Sequence, residues 1–163
     1  MASVSDWQVP PSARPKPEDY GYDLDRALLA VVGVHTKIPE DAFTAETLGT
    51  ERMGHGVLIR GRGVVLTIGY LVTEAQEVWL SPAEGPPVPG HVLAFDQETG
   101  FGLVQALARL DLPALPIGNS GRAEIGERVV VAGAGGRQRS VAAHIVAKQE
   151  FCLLYTSPSP RDS

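Results

Sequence analysis

Short apolar segments rich in β-branched residues, separated by glycine and proline turns, are the feature that most constrains this fold. They recur about every ten residues, and no segment keeps a 3.6-residue apolar period over the length of a helix. Eighteen glycines and thirteen prolines supply the turns. The pattern predicts an all-β sandwich or barrel. The predicted strands cover residues 28–35, 55–60, 64–67, 77–81, 91–96, 101–107, 128–133 and 140–151.

The two ends of the chain differ in character from the middle. Residues 1–26 carry four prolines, several charges and few apolar side chains, so we predict a disordered, proline-rich leader. Residues 152–163, CLLYTSPSPRDS, look like the translation of a sequencing-library adapter. We therefore expect this tail not to be natural and the natural sequence to be cut near Phe151, with a genuine Ser/Pro tail as the alternative.

Charge and hydropathy exclude several classes of partner. The net charge of −5 and the absence of a Lys/Arg cluster argue against nucleic acid. No segment approaches the roughly 18 apolar residues that cross a bilayer, so no membrane span is predicted. The N-terminus lacks the pattern of a signal peptide, which makes the cytoplasm the default location without excluding export. Cys152 is the single cysteine, so no intrachain disulfide is possible.

Four segments in order carry a family resemblance. They are GHGVLIRGRGVVLT (54–67), TIGYLVTEAQEVWL (67–80), FDQETGFGLVQA (95–106) and LPALPIGNSGRAEIGERVVVAG (112–133). Together they resemble the trypsin-like serine protease domain of the HtrA group. The resemblance implies two six-stranded antiparallel barrels with the active site between them. The expected fold is all-β, a trypsin-like double β-barrel, with the first barrel at 27–117 and the connector and opening strands of the second at 118–151.

The resemblance also locates the catalytic positions, and neither of the two that the chain covers carries its catalytic residue. The chemistry needs a serine nucleophile, a histidine base and a carboxylate that orients the histidine. Tyr70 stands at the histidine position, and a phenol with a pKa of about 10 is a poor base near neutral pH. Gly100 stands at the aspartate position and has no side chain. The family's nucleophilic serine comes later in the sequence, so no catalytic residue is predicted to be intact.

The remaining candidate side chains point to ordinary structural roles. Asp96 lies four residues before the aspartate position and is interpreted as a turn residue. His35, His55, His91 and His144 are scattered, without the spacing of a zinc site or a nearby nucleophile and carboxylate. No metal and no cofactor is predicted.

Two further motifs resemble functional sites. Gly118-Asn119-Ser120-Gly121 is similar to the sequence around a trypsin-like nucleophile, but Arg122 replaces the second glycine, so Ser120 is interpreted as a turn residue. The segment 129–137, VVVAGAGGR, is similar to the start of a dinucleotide-binding turn. Gln138 replaces its third glycine and a strand follows, which favours a glycine-rich hairpin.

Three hypotheses for function follow. The leading one is a fragment of an HtrA-type peptidase homologue that is catalytically inactive and binds peptide or unfolded protein segments when full-length. The alternative is an active serine endopeptidase whose catalytic residues lie partly outside this fragment, so whether the protein is an enzyme stays open. The third is an unrelated β-barrel binding module. The sequence does not indicate an oligomeric state.

Overall fold

The computed structural model describes residues 7–149. Its strands are β1 Val31–Lys37, β2 Glu51–Arg60, β3 Val64–Ile68, β4 Glu77–Ser81, β5 Val88–Phe95, β6 Phe101–Ala106, β7 Arg128–Ala132 and β8 Ser140–His144. Its short α-helices are α1 Leu24–Leu28, α2 Ala45–Leu48 and α3 Gly69–Val72. Single 3₁₀ turns lie at Pro11–Ala13, Pro17–Asp19, Ser120–Arg122 and Gly136–Arg139. Each predicted strand is present; β4 has its predicted bounds, and the other strands are shifted at one or both ends.

The first six strands form a closed antiparallel barrel. Around the barrel the order is β1-β2-β3-β6-β5-β4, and β4 pairs with β1 to close it. The strands β7 and β8 form a separate antiparallel hairpin. The predicted all-β, trypsin-like fold class is therefore confirmed, with a complete first barrel and a partial second one.

Alternation along the strands builds the core. The largest fully buried side chains of the barrel include Leu58, Val65, Leu80 and Val104, which come from four different strands. Gly56 lies among them, and a Cβ there would approach Val65 Cγ1 to 2.5 Å. Burial of such side chains stabilises the barrel by about 1.5–3 kcal/mol each.

The segment before β1 differs from the predicted disordered leader across the residues that the structure describes. Val9 is buried, and its amide donates to the Gln138 carbonyl at 2.9 Å. Asp19 pairs with Arg128 at 3.2 Å. Composition predicts disorder because few side chains here are apolar, yet a few anchors suffice to hold the segment against β7 and the turn before β8.

Two strand ends also differ from prediction. The apolar run that begins at Leu28 starts as the last turn of α1, because the Asp23 side chain accepts the Arg26 amide and caps the helix. The strand β8 ends at His144, seven residues before the predicted end. The predicted adapter segment 152–163 lies outside the described residues.

Candidate functional site

Tyr70 lies in the one-turn helix α3, which follows β3 at one end of the barrel. Its side chain is 42% exposed, and its hydroxyl donates to the Met53 carbonyl oxygen at 3.5 Å. The Thr73 hydroxyl donates to the Gly69 carbonyl at 2.9 Å and closes the turn. The residue at the predicted base position is thus a surface phenol on a well-defined turn.

Gly100 lies directly beside that turn. It ends the connection from β5 to β6 with a φ of 74°, and its carbonyl accepts the Gly69 amide at 2.7 Å. The structure therefore brings the segments of Tyr70 and Gly100 together, as the predicted catalytic positions require. Neither position carries a base or a carboxylate.

Gly69 and Phe95 form the packed floor between these segments. A Cβ at position 69 would lie 2.1 Å from Phe95 Cε2 and 3.0 Å from the Gly100 oxygen. The Phe95 ring thus covers the backbone of α3 while remaining 45% exposed. A side chain at position 69 would therefore require the Phe95 ring to move.

Asp96 is committed to the β5–β6 turn. Its carboxylate accepts the Thr99 hydroxyl at 2.6 Å and the Glu98 amide at 3.1 Å. The hydrogen bond from Thr99, followed by that from the Glu98 amide, lowers the pKa of Asp96 below its ordinary value. The carboxylate therefore serves the turn, in line with its interpretation from sequence.

The buried side chain of Arg52 binds the turn that carries Tyr70, residues 69–73, which we call the site turn. It projects from β2, is 3% exposed, and donates from Nη1 to the carbonyls of Tyr70 at 2.6 Å and Thr73 at 3.1 Å. Its Nη2 donates to Thr44 Oγ1 at 2.7 Å and its Nε to the Gly49 carbonyl at 3.3 Å. The guanidinium thus links the β1–β2 loop to the turn that carries Tyr70.

Glu74 closes the same network at the surface. It has a φ of 58°, which lies in the left-handed region that residues other than glycine seldom adopt. Its carboxylate accepts the amides of Phe43 at 3.1 Å and Thr44 at 2.8 Å, and the Thr44 hydroxyl at 2.5 Å. The hydrogen bonds from Thr44 are the main cause of the lowered pKa of Glu74.

Sequence reasoning missed both charged residues of this network. Arg52 shares the inward positions of β2 with Gly54, Gly56 and Leu58, and a charged residue in an inward series was the signal that could have identified it. Glu74 gave no signal, because a left-handed residue other than glycine is not visible in sequence.

The four histidines lie on different elements and do not form a cluster with Tyr70. His55 accepts the Ala134 amide through Nδ1 at 3.1 Å, which ties the barrel to the turn after β7. His35 lies 4.0 Å from Glu51, and His144 Nδ1 is 3.1 Å from the Gly126 carbonyl. His91 lies exposed on β5. Across residues 7–149 no group of three or more His, Cys, Asp or Glu side chains is arranged to hold a metal.

A groove of about 590 Å³ lies between the barrel and the turn after β7. His35, Met53 and His55 line one wall, and Gly133 and Gly135 line the other. No carboxylate lines it among the residues that the structure describes. The groove separates the two units that a double-barrel protease would use to form its cleft.

The two motifs similar to functional sites form turns. Ser120 begins a 3₁₀ turn in the connector, where Asn119 Oδ1 accepts the Gly121 amide at 2.9 Å. The glycine-rich segment after β7 contains Gly135 and Gly136 at φ values of 118° and 73°, then a 3₁₀ turn and β8. No α-helix begins there that could hold a pyrophosphate. No helix within residues 7–149 has the length and apolar character needed to cross a bilayer.

Comparison with known proteins gives a consistent set of relatives. Residues 54–160 match the family model described as the trypsin-like peptidase domain. The serine endoprotease DegS of Salmonella typhimurium is 24% identical over 117 residues, covering 72% of this chain and 33% of that protein. A probable periplasmic serine endoprotease, DegP-like, of Pseudomonas fulva is 29% identical over 111 residues, covering 68% and 23%. The chain therefore spans about a third or less of the length of these curated relatives.

Solved structures agree on the fold. The HtrA-type protease AlgW with tripeptide superimposes with a TM-score of 0.64 at 20% identity, covering 80% of this chain and 40% of that chain. These matches exclude the unrelated β-barrel module considered from sequence. The default cytoplasmic location was wrong, since the Pseudomonas fulva relative is described as periplasmic. The absent signal pattern was an inadequate basis for it.

Proposed function

The chain belongs to the trypsin-like peptidase family as an HtrA-type domain, and from that premise we propose that the whole protein is a catalytically inactive relative that binds peptide or unfolded protein segments. The observation that carries this proposal is the pair of segments at Tyr70 and Gly100. The two segments lie side by side, as a protease would need. However, Tyr70 supplies a phenol in place of an imidazole, and Gly100 has no side chain to supply a carboxylate.

Loss of both groups removes the means of activating a serine. A base must take the hydroxyl proton, and its orienting carboxylate must stabilise the resulting imidazolium. The carboxylate nearest in sequence, Asp96, is occupied by Thr99 and Glu98. His55 is occupied by the Ala134 amide. A nucleophile supplied by the rest of the protein would meet no base at position 70.

The geometry that remains suits binding. The groove beside His55 and the exposed Tyr70 ring offer apolar and hydrogen-bonding surface without a cleavage step. The relatives are named as serine endoproteases, whose substrates are polypeptides. The periplasmic description of one relative supports an exported location for the full protein.

The test of inactivity uses the full-length protein. We expect no labelling by a serine-directed fluorophosphonate probe and no cleavage of reduced, unfolded protein. Labelling together with cleavage would establish the alternative, an active serine endopeptidase.

The test of binding compares two tyrosines. Fluorescence anisotropy of a labelled, reduced and carboxymethylated protein should show binding that weakens severalfold in Tyr70→Ala. The matched control is Tyr22→Ala, since Tyr22 is 54% exposed and lies before β1. Equal affinity in both variants, or no binding to the wild type, contradicts the proposal.

A further inference from the structure

The β1–β2 loop, residues 38–50, is joined to the turn that carries Tyr70 by a network of side-chain hydrogen bonds. Its centre is Thr44 Oγ1, which accepts from Arg52 at 2.7 Å and donates to Glu74 at 2.5 Å. Arg52 reaches the turn carbonyls, and Glu74 follows the turn directly in sequence. We propose that this network is a conformational coupling device, through which the loop sets the position of Tyr70.

Burial makes the coupling strong. The Arg52 guanidinium is almost fully removed from water, and the four hydrogen bonds that replace its hydration come from both the loop and the turn. A buried cation that loses part of its acceptors is costly, so its partners cannot separate independently. Movement of the loop away from Arg52 therefore weakens its hold on the turn.

The backbone conformation of Glu74 is a second indication that the loop and the site turn hold each other in place. Its left-handed conformation is unfavourable and persists only where the surroundings fix it. The three hydrogen bonds from Phe43 and Thr44 supply that constraint. If the loop is released, Glu74 is free to leave this conformation and the end of the site turn relaxes with it.

The loop also carries an exposed aromatic ring to which a ligand could bind and so change the position of the loop. Phe43 is 92% exposed, although its own amide is held by Glu74. A molecule that binds this ring would displace the Phe43 backbone, whose amide donates a hydrogen bond to the Glu74 carboxylate. Arg52 and Glu74 are thus positioning residues for Tyr70, and neither needs to touch a ligand.

Amide hydrogen exchange on the full protein without ligand tests the coupling. Thr44→Val removes the central hydroxyl, which hydrogen-bonds to Arg52 and Glu74, and changes no residue of the turn that carries Tyr70. We expect exchange to accelerate roughly tenfold in the loop and by a comparable factor at the amides of Gly69 and Thr73. Thr47→Val, an exposed change in α2 of the same loop, is the matched control and should leave both segments unchanged.

A second variant guards against a simple loss of stability. Glu74→Gln keeps the shape of the side chain and removes its charge, so it should accelerate both segments together by a smaller factor. Acceleration of the loop alone in Thr44→Val, or a uniform acceleration across all barrel strands, overturns the coupling. The measurement involves no peptide and no catalysis, so its outcome is independent of the proposed function.

Discussion

The close approach of Phe95 to Gly69 gives a sharp test of the site geometry. In Gly69→Ala the new methyl group would lie 2.1 Å from Phe95 Cε2 and 2.5 Å from Phe95 Cδ2. An inserted carbon of this kind costs about 1–3 kcal/mol. Alanine regains up to about 1 kcal/mol over glycine in a helix, but α3 is one turn long and recovers less. We expect a net loss of about 1–2 kcal/mol.

The assay is urea unfolding, in which the midpoint should fall while the slope stays constant. Gly61→Ala is the matched control, because a Cβ at Gly61 meets no atom within 4 Å. It should be neutral or stabilise the protein by less than about 1 kcal/mol.

A double-mutant cycle identifies the cause of the loss. Combined with Phe95→Ala, the change at Gly69 should cost at least about 1 kcal/mol less than it does alone. Equal effects of Gly69→Ala and Gly61→Ala, or perfect additivity with Phe95→Ala, would refute the packing described for the site.

Three further changes have defined outcomes. Leu58→Ala empties a fully buried position in the barrel and should cost about 3–4 kcal/mol in urea unfolding, against less than about 1 kcal/mol for Leu107→Ala, which is 64% exposed. Because the pKa of Glu74 is lowered, its stabilising contribution is present above the ordinary pKa near 4.5 and disappears as the pH falls through the lowered value. Thermal melting from pH 7 to 3 should therefore show a smaller loss of stability for Glu74→Gln than for the wild type. Asp96→Ala removes both hydrogen bonds that the Asp96 carboxylate accepts in the β5–β6 turn and should lower the urea midpoint, with faster exchange at the Glu98 amide.

Local pattern was enough to predict the strands, and long-range contact decided what it missed. The strand Val31–Lys37 was predicted from a continuous apolar run rich in β-branched residues, and Val31, Val32 and Val34 are buried in it. Val9 was assigned to a disordered leader because the residues around it include several prolines and charges and few apolar side chains. Its partner, Gln138, lies 129 residues away, as the two residue numbers show. A window of local sequence carries no information about such a contact.

The site divides in the same way. The family resemblance placed Tyr70 and Gly100 on segments that the structure joins through the Gly69 amide. The network of Arg52, Thr44 and Glu74 could not be predicted, because its residues are brought together by the loop and belong to no motif. The charged inward residue on β2 was the one local clue.

The two positions at which we propose that catalytic residues are missing differ in whether their backbone would accept the missing side chain. Tyr70 occupies a helical position with a half-exposed side chain, where histidine would meet no backbone obstacle. Gly100 has a φ of 74°, a conformation that costs side chains other than glycine about 1 kcal/mol or more. The turn before it is organised by Asp96 through Thr99 and Glu98, which places the nearby carboxylate where it serves the backbone. On the proposed assignment, restoring the base would need one substitution, whereas restoring its orienting carboxylate would need the β5–β6 turn to be rebuilt.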